Sequence, residues 1–237
     1  TRNAVLGSPA HGVKVSLRSP MMLPTLALVD PELTYSLPKE ITASSGLDAL
    51  TQLIEPFVSV KANPMTDAIC REGIRYAAKS LRRAYQNRAD VSAREGMALA
   101  SLFGGMALAN AALGAVHGFA GPLGGMLNAP HGAICAKLLP LVMDANLKAL
   151  ESRHASIERF VEIAQIVTEN KNASAQDGVQ WVSELVRELN IPPLSTHGMT
   201  EAHIPEAVQK TLNASSYKGN PTSLSEGELT EVLEKAL

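Results

Sequence analysis

The chain has 237 residues and a mass of 25.1 kDa, with 46% hydrophobic and 19% charged residues, a mean hydropathy of +0.04, a formal net charge of −2 and a pI near 6.3. That length fills one large core or two smaller domains, and the near-neutral balance leaves no electrostatic footprint for nucleic acid or an anionic membrane surface. Both cysteines, Cys70 and Cys135, sit in apolar helical patterns and read as reduced core thiols of a cytoplasmic protein; a disulfide or a thiolate ligand is the lesser alternative. No signal-peptide pattern follows Thr1-Arg2-Asn3.

In chain order, Val13-Lys14-Val15-Ser16-Leu17 alternates with period two, and Thr25-Leu26-Ala27-Leu28-Val29-Asp30 is a short apolar run bounded by prolines. Both read as strands, and two strands alone make no stable sheet. From Pro38 onward the pattern is helical. A helix over 38–59 is expected to stop around Pro56, and Asn63-Pro64 supplies an N-cap and a first-turn proline for a helix over 64–87. Along that helix Ile69, Ile74, Ala78, Leu81 and Tyr85 share a face, with Arg71, Arg75, Lys79, Arg82 and Arg83 on the solvated side. Helices at 91–112 and 115–126 are rich in Ala and Gly, which predicts close backbone approach and a central position. Further helices are expected at 131–151, 154–169, 174–189 (Ser174 capping, Asp177 at N3), 201–215 and 225–236. The fold class is mainly α: a multi-helix bundle preceded by a short β fragment.

Residues 96–136 contain no Asp, Glu, Lys or Arg, so this stretch is expected to be largely buried. The window Met97–Val116 is long enough to raise the question of a membrane span, but its Ala, Gly, Ser101 and Asn110 predict a buried helix. His117 and His131 lie inside the uncharged stretch. A buried imidazole needs a partner for its nitrogens, and two in one apolar segment point to a shared metal ion. Asp48 and Gln52, four apart, fall on one face of the first helix. A carboxylate with two imidazoles suits Fe²⁺ or Zn²⁺. The plain alternative makes Asp48 a helix–helix bond and the histidines core residues of a non-catalytic helical protein. His11, His154, His197 and His203 lie in polar contexts and read as surface residues, Trp181 reads as core, and Lys218-Gly219-Asn220-Pro221 reads as a turn without derivable chemistry.

Gly46–Glu55, Asn63–Asp67, the run Gly114-Ala115-Val116-His117-Gly118-Phe119-Ala120-Gly121-Pro122-Leu123-Gly124-Gly125, Ala129-Pro130-His131-Gly132 and Ala214–Pro221 resemble the iron-containing (group III) alcohol dehydrogenase family. The resemblance implies an N-terminal Rossmann-like nicotinamide domain and a helical C-terminal domain that holds the metal. On that basis residues 1–37 are a remnant of the cofactor domain and 38–237 the metal and substrate domain. Asp48, Gln52, His117 and His131 occupy the metal positions. The implied reaction is NAD(P)-dependent hydride transfer to or from a small alcohol, aldehyde or ketone. The chain is expected to be inactive on its own and, like many members, to form a homodimer, with no nucleic-acid or membrane partner. Phe119, Leu123 and Met126 are expected to wall the pocket.

Two positions depart from the family pattern. Gln52 stands where a D-x-x-x-H pair carries histidine, and Gly121 stands where a second histidine commonly follows His117 by four. A neutral amide is a weaker ligand than imidazole, so metal affinity is expected to fall. No G-x-G-x-x-G follows a strand, and Thr1–Val5 resembles the stretch just after the family's cofactor-contacting segment. An alternative reading is a reductase of the maleylacetate reductase type, which polarises its carbonyl with histidines and no tightly bound ion.

Overall fold

The computed structural model describes residues 1–8, 13–127 and 129–237, with backbone only for 13–15. Among these, a two-stranded antiparallel ribbon precedes nine α-helices. β1 (Asn3–Ser8) pairs with β2 (Val13–Arg18), with Asn3 opposite Arg18 and Ser8 opposite Val13. The helices are α1 (Lys39–Val58), α2 (Pro64–Gln86), α3 (Val91–Ala111), α4 (Ala115–Met126), α5 (His131–Ser152), α6 (Glu158–Thr168), α7 (Ala175–Glu188), α8 (Ile204–Leu212) and α9 (Glu226–Glu234).

The expected strand at 25–30 does not form. Leu26 and Leu28 are 81% and 87% exposed in irregular chain that ends in a 3-10 turn opened by Pro31. An extended run needs a ladder partner for its backbone groups, and no described strand lies beside it. The strand that does pair with β2 is the one at Asn3–Ser8, which alternation alone does not announce. Two helices begin later than expected. α6 starts at Glu158, because His154 adopts a left-handed φ of 53° just after α5. At 201–203 the chain makes a 3-10 turn before α8.

Local signals explain most other boundaries. Asn63 caps α2 in a capping box with Thr66, with Pro64 in the first turn. Ser174 and Asp177 form the same device on α7, as do Ser225 and Glu228 on α9. Pro56 lies inside α1, which runs two residues further.

The helices at the centre are α1 and α5. Leu47, Leu50, Leu53, Ile54 and Phe57 of α1 are at most 1% exposed, as are Ile134, Leu138 and Leu139 of α5. By contrast, α3 is peripheral. Its buried residues are the Ala93, Gly96, Ala100, Gly104, Ala107 and Ala111 stripe and Arg94, which donates to Thr42 Oγ1 of α1 at 3.0 Å, while Leu99 and Met106 on other faces are 36% and 44% exposed. Its small residues serve close approach to α1 and α2 from outside, so the uncharged stretch is only partly an interior one. No single described helix is long and apolar enough to cross a membrane; α3 and α4 pass such a test only as a pair bent by 100°. Arg71, Arg82 and Arg83 pair with Glu162, Glu188 and Asp90, which ties the basic side of α2 to its neighbours.

Two close approaches set the distance between the central helices and their neighbours. A Cβ at Gly132, one residue into α5, would lie 2.7 Å from the Ser44 carbonyl oxygen of α1. At Gly104 of α3 it would lie 3.1 Å from Gln52 Cβ. Backbone at Ser44 cannot swing aside as a side chain can. Gly132→Ala should therefore cost about 1–3 kcal/mol in denaturant unfolding. Gly105→Ala, with open space at its Cβ, should instead stabilise by about 0.5–1 kcal/mol.

Candidate metal centre

Three segments meet beside the middle of α1. Asp48, Gln52 and Glu55 are spaced four and three along α1 and so share a face. His117 stands in the first turn of α4, and His131 opens α5. Asp48 Oδ1 lies 3.4 Å from His117 Nε2 and 3.9 Å from His131 Nε2. The two rings are 5.4 Å apart between centroids and tilted by 56°. Cys135, one turn after His131, places Sγ 3.6 Å from His131 Nε2. One donor atom from each of Asp48, His117, His131 and Cys135 falls within 4.8 Å of the others.

The interior of this cluster is dry on one side and open on the other. The His117 side chain is 8% exposed and that of Asp48 17%, whereas His131 is 42% exposed. Gln52 donates its amide N–H to Asp48 Oδ2 at 2.9 Å, so this side chain braces the carboxylate with its nitrogen toward it. Asp48 Oδ1 is buried and makes no hydrogen bond. An orphaned carboxylate oxygen facing two imidazole nitrogens is what a divalent cation would satisfy. The donor set thus fits the metal that the sequence implies.

His117 is held by a residue that pattern reading overlooked. Glu55 Oε2 lies 2.7 Å from His117 Nδ1, and Oε1 accepts the Val116 backbone N–H at 2.7 Å. Asn220 Oδ1 accepts the Ala115 N–H at 3.0 Å, and Asn220 is itself paired with Asn146. Two otherwise unsatisfied donors of the α4 N-terminus are thereby filled, with an anion at the positive end of the helix. Gly114 makes room for this: a Cβ there would lie 2.9 Å from both Glu55 Oε1 and Asn220 Oδ1. Asn220, expected to be a plain turn residue, is a buried support of the site. A glutamate inside the apolar run Leu53-Ile54-Glu55-Pro56-Phe57 was the available signal for Glu55, and its seven-residue offset from Asp48 the signal for its face.

The pocket walls differ from expectation. Phe119 and Leu123 are fully buried core residues, because positions two and six after His117 turn to the far side of α4. Gly121, four after His117, does share its face, and a Cβ there would meet nothing within 4 Å. Of the other histidines, His154 is exposed and His203 is half-buried, its Nδ1 accepting the Thr200 N–H. His197 is half-buried with Nε2 enclosed and unbonded, a correction to its surface reading. His11 lies outside the described residues. Trp181 is partly buried against the core under the Arg82 guanidinium.

The family model for the Fe-containing alcohol dehydrogenase family, C-terminal, matches residues 42–237. The chain belongs to the iron-containing alcohol dehydrogenase family. The 1,3-propanediol dehydrogenase of Citrobacter freundii is 36% identical over 242 aligned positions, covering 100% of this chain and 61% of its own length. A solved structure of 1,3-propanediol oxidoreductase superposes with a TM-score of 0.92 at 36% identity, over 100% of this chain and 62% of that one. Maleylacetate reductase from Rhizobium sp. shares the fold, at 23% identity and a TM-score of 0.83 over 100% of this chain and 63% of its own. The chain thus spans about 61% of the length of the curated Citrobacter relative.

Charges in the cluster are mutually adjusted. Burial opposes a charge on His117, but the Asp48 and Glu55 carboxylates outweigh it and push the imidazole pKa up to about 9. Burial likewise opposes the Asp48 charge, yet the two histidines hold its pKa below the ordinary carboxylate value. Burial, and then the Asp48 charge, push the Cys135 thiol well above its usual range. In metal-free protein, His117 contributes stability that is complete below its ordinary 6.5 and lost as the pH rises through about 9. The melting temperature in chelator should fall across that window, and His117→Gln should flatten the fall. Glu55→Gln, which loosens the tautomer and angle of His117, should weaken Zn²⁺ binding about 10–100-fold by calorimetric titration.

Proposed function

We propose that this chain is the metal- and substrate-holding part of an oxidoreductase that interconverts small alcohols with aldehydes or ketones, with NAD(P) as hydride carrier. The observation that supports it most directly is the orphaned Asp48 Oδ1 facing His117 and His131. Asp48, His117 and His131 would hold the ion, with Gln52 bracing Asp48 through its amide N–H. When bound, a divalent ion supplies Lewis-acid polarisation of the substrate oxygen, and a nicotinamide supplies or accepts the hydride.

The chain's own residues set the conditions for that exchange. Glu55 keeps the His117 proton on Nδ1, so Nε2 faces the cluster with its lone pair once the ring is neutral. The buried walls of α1 and α4 exclude water from one side, and the half-exposed His131 leaves the other side for a small polar substrate. Gly121 leaves open space beside His117, where an added Cβ would meet nothing within 4 Å. Residues 1–37 would belong with the cofactor half and 38–237 with the metal half, in a cytoplasmic homodimer whose reduced Cys70 and Cys135 fit a reducing compartment.

Metal analysis of the protein after anaerobic Fe²⁺ or Zn²⁺ loading and gel filtration should give about one ion per chain. Asp48→Ala should reduce that to a trace, and unchanged metal content in this variant would remove the site as drawn. The metal-independent alternative draws on the placing of His117 between two carboxylates, Asp48 Oδ1 at 3.4 Å and Glu55 Oε2 at 2.7 Å, which favour a protonated ring able to polarise a carbonyl. Reductase activity that survives complete chelation would select that reading.

A further inference from the structure

Position 52 holds an amide whose N–H is directed at Asp48, so α1 presents one charged oxygen to the cluster where a carboxylate and an imidazole would be expected. Helix α5 presents two donors. His131 and Cys135 are four apart and therefore on one face, and the thiol is fully buried beneath the half-exposed ring. We propose that Cys135, as a thiolate, is the fourth protein ligand of the divalent ion, and that this ligand set selects Zn²⁺ over Fe²⁺. The inference rests on the metal reading above and deepens it.

Three of the six donor separations lie close to what a small tetrahedral cation requires. Bonds of about 2.3 Å to sulfur and about 2.0–2.1 Å to nitrogen and oxygen give edges of about 3.5 Å for S···N and about 3.4 Å for O···N. The observed separations are 3.6 Å for Cys135 Sγ to His131 Nε2, 3.4 Å for Asp48 Oδ1 to His117 Nε2, and 3.9 Å for Asp48 Oδ1 to His131 Nε2. All four donor atoms fall within 4.8 Å of one another, so the cluster closes with little movement.

The charges also balance. One carboxylate and one thiolate neutralise a divalent ion, and two neutral imidazoles complete the set. Binding at neutral pH displaces two protons to solvent, one from the thiol as the S–metal bond forms and one from the His117 imidazolium as Nε2 takes up the ion, with no change of oxidation state. Thiolate is the soft member of the set, and soft donors favour Zn²⁺, or Co²⁺ as its spectroscopic stand-in, over Fe²⁺. Cys70 supplies the internal contrast: it is equally buried, but its neighbours are Asp67, Arg71 and Arg159, with no imidazole among them.

The test is Co²⁺ titration of the whole, metal-depleted chain under reducing, anaerobic conditions. It reads visible ligand-field bands together with the near-ultraviolet sulfur-to-cobalt charge-transfer band. Both should grow to one equivalent; the charge-transfer band should vanish in Cys135→Ser and persist in Cys70→Ser. In a competition assay with a chromophoric chelator, Cys135→Ser should lose at least about tenfold in Zn²⁺ affinity and narrow the preference for Zn²⁺ over Fe²⁺. Ligand-field bands without charge transfer in the unmodified chain would overturn the Cys135 assignment and leave the Asp48, His117, His131 site standing. No cobalt uptake at all would overturn both. If Cys135→Ser does not fold, the charge-transfer band retained by Cys70→Ser still decides the matter, because these are the chain's two thiols.

Discussion

The contact between Glu55 Oε2 and His117 Nδ1, at 2.7 Å, organises this end of the molecule. It joins the central helix to the first turn of α4 and sets which face of the imidazole meets the cluster. A buried carboxylate is costly unless its oxygens are satisfied, and here each has a partner: one the ring, the other the Val116 N–H. The same anion sits at the positive end of α4, so folding of that helix and orientation of the histidine are one event. Asn220, reaching Ala115 from a segment more than a hundred positions later, makes the arrangement depend on the far end of the chain as well.

Much of this was legible from residue types and spacing. Helix starts marked by Asn63-Pro64 and by Ser174 with Asp177 could be placed because their capping chemistry is local. Asp48, His117 and His131 stood out because titratable side chains in apolar runs need a reason to be there. What escaped was of a different kind. The unformed strand at 25–30 turned on the absence of a neighbouring edge, which no local pattern reveals. The peripheral place of α3 was hidden because small residues permit close approach equally well from inside or outside a bundle. Glu55 and Asn220 were hidden because their importance comes from what lies across from them.

The two departures from the family pattern have opposite characters in three dimensions. Gln52 retains a structural task, since its amide steadies Asp48 even if it binds no ion. Gly121 has none: its position borders open space, and nothing nearby has moved in to fill it. One substitution is absorbed by the surrounding bonds, and the other leaves the wall beside His117 bare.

The uneven wetting of the cluster has a kinetic consequence. With Asp48 and His117 mostly covered by packed helices and His131 half-exposed, the most open side of the cluster among the described residues is the one past a single imidazole at the start of α5. Residence time there would be governed by how often that ring swings aside, so the tenacity of the site and its accessibility are controlled by the same few atoms.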